Sequence, residues 1–492
     1  MQGFRRSLLF SFLDRYATLA IMLVLTAIVA RLLTPAEVGV FAIGIGVIAM
    51  VEALREFGVA AYLVQEREIT PEKIRTAFTI MLLLSLLLAT ALNVLAGPIA
   101  RFYGEPGLKA VLHLATPSFL LVPFSNPIMA LLRRDMAFGR IACINVTGAL
   151  TNLVVAVTLA ASGFGYLSLA WGALASGAAI TVSATLCRPQ LWIFKPCLVG
   201  WRTVLSFGGY ASATMLLNVF YEMLPQLTLG RILGFDAVGL YSRAVILCRL
   251  PDRLITSALP PVLLPALSAR VRLGGDLKEP YLGGLGYALT LQWPVLLCLA
   301  LLAGPVVRVF LGAQWAEVAP LVRIIALASL AMFPAFLTYP ILVALGRVKD
   351  TLIASLLSLP PSFALMFAAA FFGLEAVAAS LLLTAPFQVY VALRFIRRQV
   401  PFTWGELGAA VRKGVVVTLC TAAAPAAAVA LAGFGLSVPA GAAAGIGAAA
   451  GWLVGLCLTD HPLLAEIRGL SRLTATGRRG ARSRLTPAGA RR

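Results

Sequence analysis

The segment Arg31-Leu-Leu-Thr-Pro-Ala-Glu-Val-Gly-Val-Phe41 has a second, related copy in the same chain, Arg231-Ile-Leu-Gly-Phe-Asp-Ala-Val-Gly-Leu-Tyr241, which begins 200 positions later. Each copy lies between two long apolar runs, so the duplicated unit is one that spans a membrane. Many transporters are built from two related halves around a central site, whereas most membrane enzymes and structural proteins have no need of such symmetry. The duplication therefore favours a transporter.

The composition indicates an integral membrane protein. Hydrophobic residues make up 60% of the chain and charged residues only 12%, whereas about a quarter of the residues in a soluble domain are charged. One span takes about 20 apolar residues, so the 492 residues have room for many helices. No gap between the apolar runs is long enough for a soluble domain. This argues against a fused cytoplasmic enzyme and against a large catalytic loop outside the membrane.

The apolar runs predict an all-α polytopic membrane protein with about fourteen transmembrane helices. We expect these helices at 7–31, 37–61, 76–99, 110–132, 140–161, 164–186, 204–230, 237–268, 285–311, 318–345, 351–373, 374–397, 412–432 and 438–458. The repeat continues past its first segment, because Ala-Arg-Phe-Tyr-Gly at 100–104 resembles Val-Arg-Val-Phe-Leu-Gly at 307–312. It predicts two pseudo-symmetric six-helix bundles, related by an axis along the membrane normal. The predicted parts are bundles over 1–190 and 200–398, two extra helices over 410–460 and a disordered basic tail over 466–492.

The basic residues predict the orientation of the helices. With a cytoplasmic N-terminus, roughly thirty Lys and Arg residues lie on the cytoplasmic side or at the inner boundary of the membrane. About five lie on the outer side or at the outer boundary and about five within helices, as the positive-inside rule predicts. Both termini are then expected to be cytoplasmic. The tail from Arg468 to Arg492 carries eight arginines and no acidic residue. We expect it to bind the anionic headgroups of membrane lipids.

Several classes of site have no support in the sequence. The net charge of +20 is spread over many loops rather than grouped on one face, which argues against nucleic acid as a partner. The seven cysteines form no Cys-x-x-Cys pair, and His113 and His461 have no neighbouring ligand set, so no metal site is predicted. No phosphate-binding Gly-rich loop with Lys and Ser or Thr is present, so ATP has no predicted site. No cofactor is expected, and a coupling ion, H⁺ or Na⁺, remains as the source of energy.

Four motifs occur in the order and at the spacing of a known family. They are Ala30-Arg-Leu-Leu-Thr-Pro-Ala-Glu-Val-Gly-Val-Phe41, Phe57-Gly-Val-Ala-Ala-Tyr-Leu-Val-Gln65, Ile99-Ala-Arg-Phe-Tyr-Gly-Glu-Pro106 and Leu131-Leu-Arg-Arg-Asp-Met-Ala-Phe138. Together they resemble the bacterial oligosaccharide flippases and polysaccharide exporters of the multidrug/oligosaccharidyl-lipid/polysaccharide (MOP) superfamily. The similarity is densest over 1–190 and becomes looser up to the twelfth helix.

The resemblance implies a non-enzymatic flippase in the bacterial cytoplasmic (inner) membrane. Its expected substrate is a polyprenyl-diphosphate-linked oligosaccharide, the repeat unit of a surface polysaccharide such as lipopolysaccharide or exopolysaccharide. Two bundles around a central cavity would move this substrate by alternating access, and a polysaccharide polymerase is an expected partner. Three alternatives stay open: a flippase of the peptidoglycan lipid precursor, a multidrug or cation antiporter of the same superfamily, and, less favoured, a membrane polysaccharide polymerase.

Four clusters of charged and polar residues fall within the predicted spans. An ionised side chain near the bilayer centre costs at least about 2.5–3.5 kcal/mol, so these residues should face a partner or a wet cavity. The clusters are Asp14 and Arg15 on the first helix, Glu52, Arg55 and Glu56 on the second, Tyr221 and Glu222 on the seventh, and Arg243, Arg249, Asp252 and Arg253 on the eighth. Glu52 and Asp252 occupy equivalent positions of the repeat, and Arg249 is expected to share a helix face with Asp252.

The residue types suggest separate roles within these clusters. A guanidinium group binds two phosphate oxygens in one plane, so the substrate diphosphate is predicted at Arg15, Arg55, Arg243 and Arg249. The acids Asp14, Glu52, Glu222 and Asp252 are candidates for binding the coupling ion or forming a gate. Neutral and aromatic side chains predicted to contact sugar are Asn93, Asn126, Asn145, Asn152, Asn218, Tyr221, Gln226, Tyr241 and Gln292. Structural pairing, such as Arg15 with Glu52, and ordinary hydrogen bonds between helices are the competing explanation.

Overall fold

The computed structural model describes residues 2–56, 62–63, 66, 69–202, 209–254, 270 and 275–464, and this part of the chain is helical without a strand. The first repeat contributes α1 (Gln2–Leu32), α2 (Pro35–Glu56), α3 (Pro71–Tyr103), α4 (Pro106–Arg134), α5 (Phe138–Ala161) and α6 (Leu167–Cys187). The second contributes α7 (Gly209–Ile232), α8 (Phe235–Cys248), α9 (Leu250–Leu254), α10 (Lys278–Leu301), α11 (Ala303–Phe310), α12 (Val318–Ser329), α13 (Ala335–Ala344), α14 (Val348–Ala370) and α15 (Leu374–Ile396). The chain continues with α16 (Trp404–Ala432) and α17 (Val438–Leu458). The predicted basic tail at 466–492 lies outside the described residues.

The predicted all-α membrane architecture is confirmed. Among the described residues, 11 helices are long and apolar enough to cross a membrane: α1 to α6, α10 and α14 to α17. The count of fourteen spans stays a prediction. So do the two bundle boundaries.

Three helices that the sequence predicts as continuous are interrupted in the structure. The predicted helix at 237–268 breaks at Arg249, the one at 285–311 at Leu302, and the one at 318–345 at residues 333–334. A proline follows each break or forms part of it, at Pro251, Pro305 and Pro334. Proline has no N–H to donate to the carbonyl group four residues earlier, and its ring crowds that carbonyl, so the helix ends there. The remainder of 237–268, from residue 255, lies outside the described residues.

One compact unit comprises residues 1–250, 307–328 and 346–392. Within it α1 packs on α5, α5 on α6, α3 on α4, and α4 on α6. Buried apolar side chains at the centre of these contacts include Met81, Ile128, Leu132 and Ile144. Helix α7 packs on α14, which repeats in the second half the contact of α1 with α5. Helix α2 contacts both α7 and α8, so the two repeats meet inside this unit.

The second compact unit comprises the described residues of 251–306, 329–345 and 393–464. Within it α16 packs between α10 and α17. The start of α16 carries a capping box, in which Thr403 and Glu406 each bond the backbone N–H of the other. Glu406 also accepts a hydrogen bond from Lys278 at 2.7 Å. At the far end of α17, His461 is buried and its Nε2 lies 3.2 Å from the Thr290 hydroxyl.

The segment between α6 and α7 is tied to the start of α3. Arg75 donates hydrogen bonds to the carbonyl oxygens of Lys195 and Pro196, both at 3.0 Å. The backbone N–H of Cys197 donates to the Thr79 hydroxyl at 2.9 Å. A hydrogen bond from the backbone of Val199, followed in importance by one from Thr76, lowers the pKa of the Cys197 thiol below its ordinary value. These polar contacts act together with apolar burial, because Ile193 of the same segment is fully buried in the core beside α3 and α4.

Helix α17 packs closely on α16 through a glycine, Gly451, and substitution of this glycine tests the contact. A Cβ added at Gly451 would fall within 3.0 Å of the Cys420 carbonyl oxygen, whereas nothing lies within 4 Å of a Cβ at Gly445 on the same helix. We expect Gly451→Leu to destabilise the protein by about 1–3 kcal/mol, the usual cost of overpacking. The thermal midpoint of the purified protein should fall for Gly451→Leu and stay unchanged for Gly445→Leu. Equal midpoints for the two variants would contradict the packing.

Candidate functional site

The two sequence repeats touch each other at equivalent glycines. A Cβ added at Gly39 on α2 would fall within 3.0 Å of the Phe235 carbonyl oxygen, where α8 begins. A Cβ added at Gly239 on α8 would fall equally close to the Pro35 carbonyl oxygen, where α2 begins. Positions 35 and 39 are the repeat equivalents of 235 and 239. The contact is therefore reciprocal, and only a residue without a side chain fits at its centre. We call this contact the glycine crossing.

The same exchange occurs at the arginines that precede the crossing. Arg31 donates to the carbonyl oxygen of Val309 at 2.9 Å, within the 307–312 motif of the second repeat. Its equivalent, Arg231, lies over the ring of Phe102, with the guanidinium carbon 5.3 Å from the ring centroid, within the 100–104 motif of the first repeat. Each repeat thus contacts the other through an arginine before its glycine. These helix ends are predicted to face outward. We therefore call the glycine crossing together with Arg31 and Arg231 the outer seam.

Two aromatic side chains add hydrogen bonds to the outer seam. The buried indole of Trp315 donates to the carbonyl oxygen of Ala30 at 2.5 Å, and Gln314 donates to the same oxygen. The hydroxyl of Tyr103 donates to the carbonyl oxygen of Leu227 at 3.1 Å. The Ala30 carbonyl lies in the last turn of α1, where helix carbonyls lack partners within the helix. The sequence reasoning did not identify Trp315. The only pattern that could have indicated it is a tryptophan shortly after a glycine turn, which is weak evidence for a functional residue.

Further along the same helices, arginine and acid meet in each repeat. On α2, Nη2 of Arg55 lies 3.8 Å from Oε1 of Glu52, and its guanidinium lies 5.5 Å from the ring centroid of Phe119 on α4. Arg55 is only 3% exposed. On α7 and at the end of α8, Glu222 and Arg249 form an ion pair in which both side chains are about half exposed. From helix rise, Glu52 and Glu222 lie roughly 15–26 Å from the outer ends of their helices.

Arg243 differs from the other predicted phosphate ligands. It is 7% exposed, and its guanidinium carbon lies 5.7 Å from the centroid of Trp315. Its Nε atom has no hydrogen-bond partner in the described part of the chain. The equivalent position of the first repeat is Ile43, which is fully buried. The structure therefore associates Arg243 with the outer seam rather than with the deeper charges.

Asp14 is held by neutral donors. Its Oδ2 accepts a hydrogen bond from Nδ2 of Asn145 on α5 at 2.9 Å, and its Oδ1 accepts from the Thr18 hydroxyl at 3.4 Å. The carboxylate is half-buried. Asn145, predicted to contact sugar, instead joins α5 to α1 through this acid. Thr18 was missed because its only signal is a spacing of four residues on one helix face.

The prediction that Arg249 and Asp252 share one helix face stays a prediction, and the structure gives each side chain a partner on another helix. The helix is interrupted at Arg249, and Arg249 bonds Glu222. Oδ1 of Asp252 instead accepts a hydrogen bond from Nε2 of Gln292 on α10 at 2.5 Å. Glu52 and Asp252, equivalent in the repeat, thus make different contacts: Glu52 lies beside Arg55 on its own helix, and Asp252 accepts from an amide on α10.

The other predicted residues fall at several places. Arg15 and Tyr221 are half-buried on α1 and α7, and the Tyr221 ring lies edge-on to Phe220 at 5.8 Å. Asn93 donates within its own helix, to Ala89 at 3.3 Å. The side chain of Glu56 lies outside the described part. Among the described residues, no three His, Cys, Asp or Glu side chains are grouped so that they could hold a metal ion.

Two kinds of chemistry follow from this arrangement. Guanidinium groups on α2 and α8 offer charge-assisted hydrogen bonds to anionic oxygens. The Asp14 carboxylate places a negative charge between α1 and α5, where an amide and a hydroxyl donate hydrogen bonds to it. Both lie on helices that also form the outer seam or pack beside it.

A family model described as "Polysaccharide biosynthesis protein" matches residues 28–320, which is more than half of the chain. The succinoglycan biosynthesis transport protein ExoT of Rhizobium meliloti (strain 1021) is 26% identical over 352 residues, 70% of this chain and 69% of that protein. The lipopolysaccharide biosynthesis protein WzxC of Escherichia coli (strain K12) is 22% identical over 313 residues, and the match covers 63% of each protein. These findings confirm the resemblance found in the sequence motifs.

Solved structures share the fold. The structure described as "Lipid II flippase MurJ, inward closed conformation" has a TM-score of 0.74 and 14% identity, and the match covers 93% of this chain and 99% of that one. An inward-facing multidrug resistance MATE family transporter of the MOP superfamily has a TM-score of 0.64 and 15% identity, covering 78% of this chain and 98% of that one. At these identities the likeness concerns the fold alone.

The reciprocity of the glycine crossing predicts a non-additive result. Gly39→Leu and Gly239→Leu should each cost about 1–3 kcal/mol of stability, because each forces the same two helices apart. Once one variant has opened the crossing, the second should cost much less, so the double variant should lose clearly less than the sum of the two. Thermal midpoints of the purified proteins measure this.

Gly97→Leu is the matched control, because nothing lies within 4 Å of a Cβ at this helical glycine. Additivity of Gly39→Leu and Gly239→Leu to within about 0.3–0.5 kcal/mol, the value typical of independent sites, would contradict a single shared crossing.

Proposed function

Because the chain belongs to the polysaccharide biosynthesis protein family, we propose that it is a flippase that translocates a polyprenyl-diphosphate-linked oligosaccharide across the bacterial cytoplasmic membrane by alternating access. The observation that carries the proposal is the outer seam, where the two repeats meet through equivalent glycines and arginines. A seam of this kind would close one side of the membrane by contacts from equivalent residues of the two repeats. Two related halves that rock apart there would open that side.

The deeper charges supply the binding surface in this proposal. The diphosphate of the substrate would meet Arg15, Arg55 and Arg249, while the isoprenoid chain stays in lipid. Glu222 holds Arg249 in place before substrate arrives and competes with phosphate for the guanidinium. A substrate with several anionic oxygens outcompetes one carboxylate because it offers more charge-assisted hydrogen bonds. Release follows when the acid takes the arginine back.

Ion coupling is assigned to Asp14 in this proposal. Among the acids predicted for this role, Glu52 and Glu222 lie beside arginines and Asp252 is bonded to Gln292. Asp14 is bonded by Asn145 and Thr18, so it can exchange a proton or bind Na⁺ without first breaking an ion pair. One charge that crosses the full membrane potential supplies about 2.3 kcal/mol per 100 mV, which is about a 50-fold bias. That is enough to drive accumulation in one leaflet.

Three other functions predict different results. The structural likeness to a lipid II flippase favours the peptidoglycan precursor as a second candidate substrate, and rescue of a strain depleted of that essential flippase would identify it. A drug or cation antiporter would transport its substrate without a lipid carrier. A polymerase would form polymer from lipid-linked units in vitro; we propose that this chain does not, and that it passes its product to a separate polymerase on the outer side.

The phosphate role predicts a loss of export when the arginines are removed. Arg15→Ala and Arg249→Ala should each lower export of polymer roughly 10–100-fold, since a hydrogen bond to a charged group contributes about 1.5–3 kcal/mol. Glu222→Gln combined with Arg249→Ala should be equally impaired, which excludes an unpaired acid as the cause. Polymer on the cell surface is measured, with equal membrane levels of each variant.

Arg188→Ala is the control for the arginine variants, since Arg188 pairs with Asp135 outside the spans at 2.5 Å. Normal export of polymer by the Arg15→Ala and Arg249→Ala variants would contradict the proposal that these arginines bind the substrate diphosphate.

The coupling role predicts that Asp14→Asn uncouples transport from the ion gradient. The amide keeps the size of the carboxylate and loses its charge, so folding should be preserved. In proteoliposomes, an imposed proton or sodium gradient should accelerate translocation by the wild-type protein and by Asp135→Asn, but not by Asp14→Asn. If an ion gradient still accelerates translocation by the Asp14→Asn variant, Asp14 is not the coupling site.

A further inference from the structure

An apolar groove lies between helices α2, α3 and α7. Its volume is about 600 Å³, and its lining includes Val51 and Leu54 on α2, Leu88 and Leu95 on α3, and Leu227 on α7. Leu54 and Leu95 remain exposed in the structure. The polar side chain in the lining is Tyr103, whose hydroxyl already donates to the Leu227 carbonyl oxygen. The groove therefore offers an occupant apolar contact and no free hydroxyl.

The position of the groove limits its occupant to a lipid chain. Helices α2 and α3 are both long and apolar enough to span the membrane, and an almost wholly apolar lining with exposed leucines suits contact with hydrocarbon better than contact with water. From Leu88 to Phe102 it extends about 21 Å along α3. A leaflet contributes only about 15 Å of the roughly 30 Å hydrocarbon core. A chain that fills the groove therefore reaches from the outer boundary past the middle of the bilayer, as a long isoprenoid does.

Charge at the outer end of the groove identifies the headgroup. Phe102 lines this end, and the guanidinium of Arg231 lies over its ring. Arg231 is exposed, and Arg101 precedes Phe102 in the sequence. A cation at the membrane boundary above an apolar slot fits a lipid with an anionic phosphate at its head. The volume is within the range of about 300–1,000 Å³ found for ligand pockets.

We propose that this groove binds the isoprenoid chain of the lipid carrier in the outer leaflet, with the carrier's phosphate at Arg231. This inference rests on the proposed function for the identity of the carrier. Because α7 belongs to the second repeat and α2 and α3 to the first, the bound chain lies along the line where the repeats meet. Opening of the outer seam would change the groove, so the chain can follow its headgroup across without leaving the protein.

The test uses a polyprenyl phosphate that carries a photoreactive diazirine on its isoprenoid chain. Full-length protein in lipid nanodiscs is illuminated with this probe, and the labelled peptides are mapped. Labelling should concentrate on the groove-lining part of α3, residues 88–103, and on the facing part of α2. Unlabelled polyprenyl phosphate should displace the probe, whereas the same excess of phosphatidylglycerol should not.

Two variants of α3 make the experiment specific. Ala91→Trp fills the groove, because Ala91 lines it, and should lower labelling at least tenfold. Val94→Trp, at a 69% exposed position outside the lining, should leave it unchanged. Arg231→Ala should weaken competition by polyprenyl phosphate several-fold. If Ala91→Trp does not fold, Leu95→Phe replaces it and should lower labelling in the same direction.

The proposal is overturned if Ala91→Trp or Leu95→Phe labels like wild type, or if phosphatidylglycerol displaces the probe equally well, which would make the groove an ordinary annular lipid site. This result is distinguishable from failure of the proposed function, since labelling needs no transport. If wild-type protein labels as expected but moves no lipid-linked oligosaccharide, the flippase function is contradicted and binding of an isoprenoid chain in the groove is supported. If the protein transports its substrate without selective labelling, the flippase function is supported and the groove proposal is contradicted.

Discussion

The close approach of two backbones at Gly39 and Gly239 is the constraint on which the rest of the structure depends. A helix carries side chains on every face, so two helices normally stay 8–10 Å apart. Here the start of each helix lies against a glycine of the other, and no other residue type fits. Because the two contacts are equivalent by sequence repeat, the crossing lies on the local symmetry element of the duplicated unit. Arg31 and Arg231, the hydrogen bonds donated by Trp315 and Tyr103, and the apolar groove between α2, α3 and α7 are all arranged around it.

Charge inside the membrane is the second constraint. Each arginine or acid in a span needs compensation because hydrocarbon solvates ions poorly. The chain meets this need with neighbours of different kinds: an acid for Arg249, an acid and an aromatic ring for Arg55, an indole for Arg243, and an amide and a hydroxyl for Asp14. An ion pair or a ring contact can be exchanged for a substrate phosphate at modest cost. Carboxylates held only by neutral donors are suited to ion exchange.

Sequence patterns were sufficient for the architecture and insufficient for the contacts. Hydropathy and the 200-residue repeat predict helices and their duplication because both depend on local composition. The interruptions at Arg249, Leu302 and residues 333–334 were missed, because prolines elsewhere, such as Pro98 in α3, are accommodated within continuous helices. The partners of Arg249 and Asn145 were missed because they depend on the rotation of each helix about its axis. Gly39 and Gly239 were visible in the repeat, but nothing in the sequence indicates that they touch each other's helix.

A flippase of this kind moves a lipid-linked oligosaccharide between leaflets, and this movement can be measured with purified protein in sealed vesicles. The vesicles contain a fluorescent polyprenyl-diphosphate oligosaccharide, whose sugar is oxidised by an impermeant reagent added outside. We expect the protected inner-leaflet fraction to become accessible with time, and faster under an ion gradient. A protected fraction that stays constant, as in vesicles without protein, would contradict the proposed flippase function.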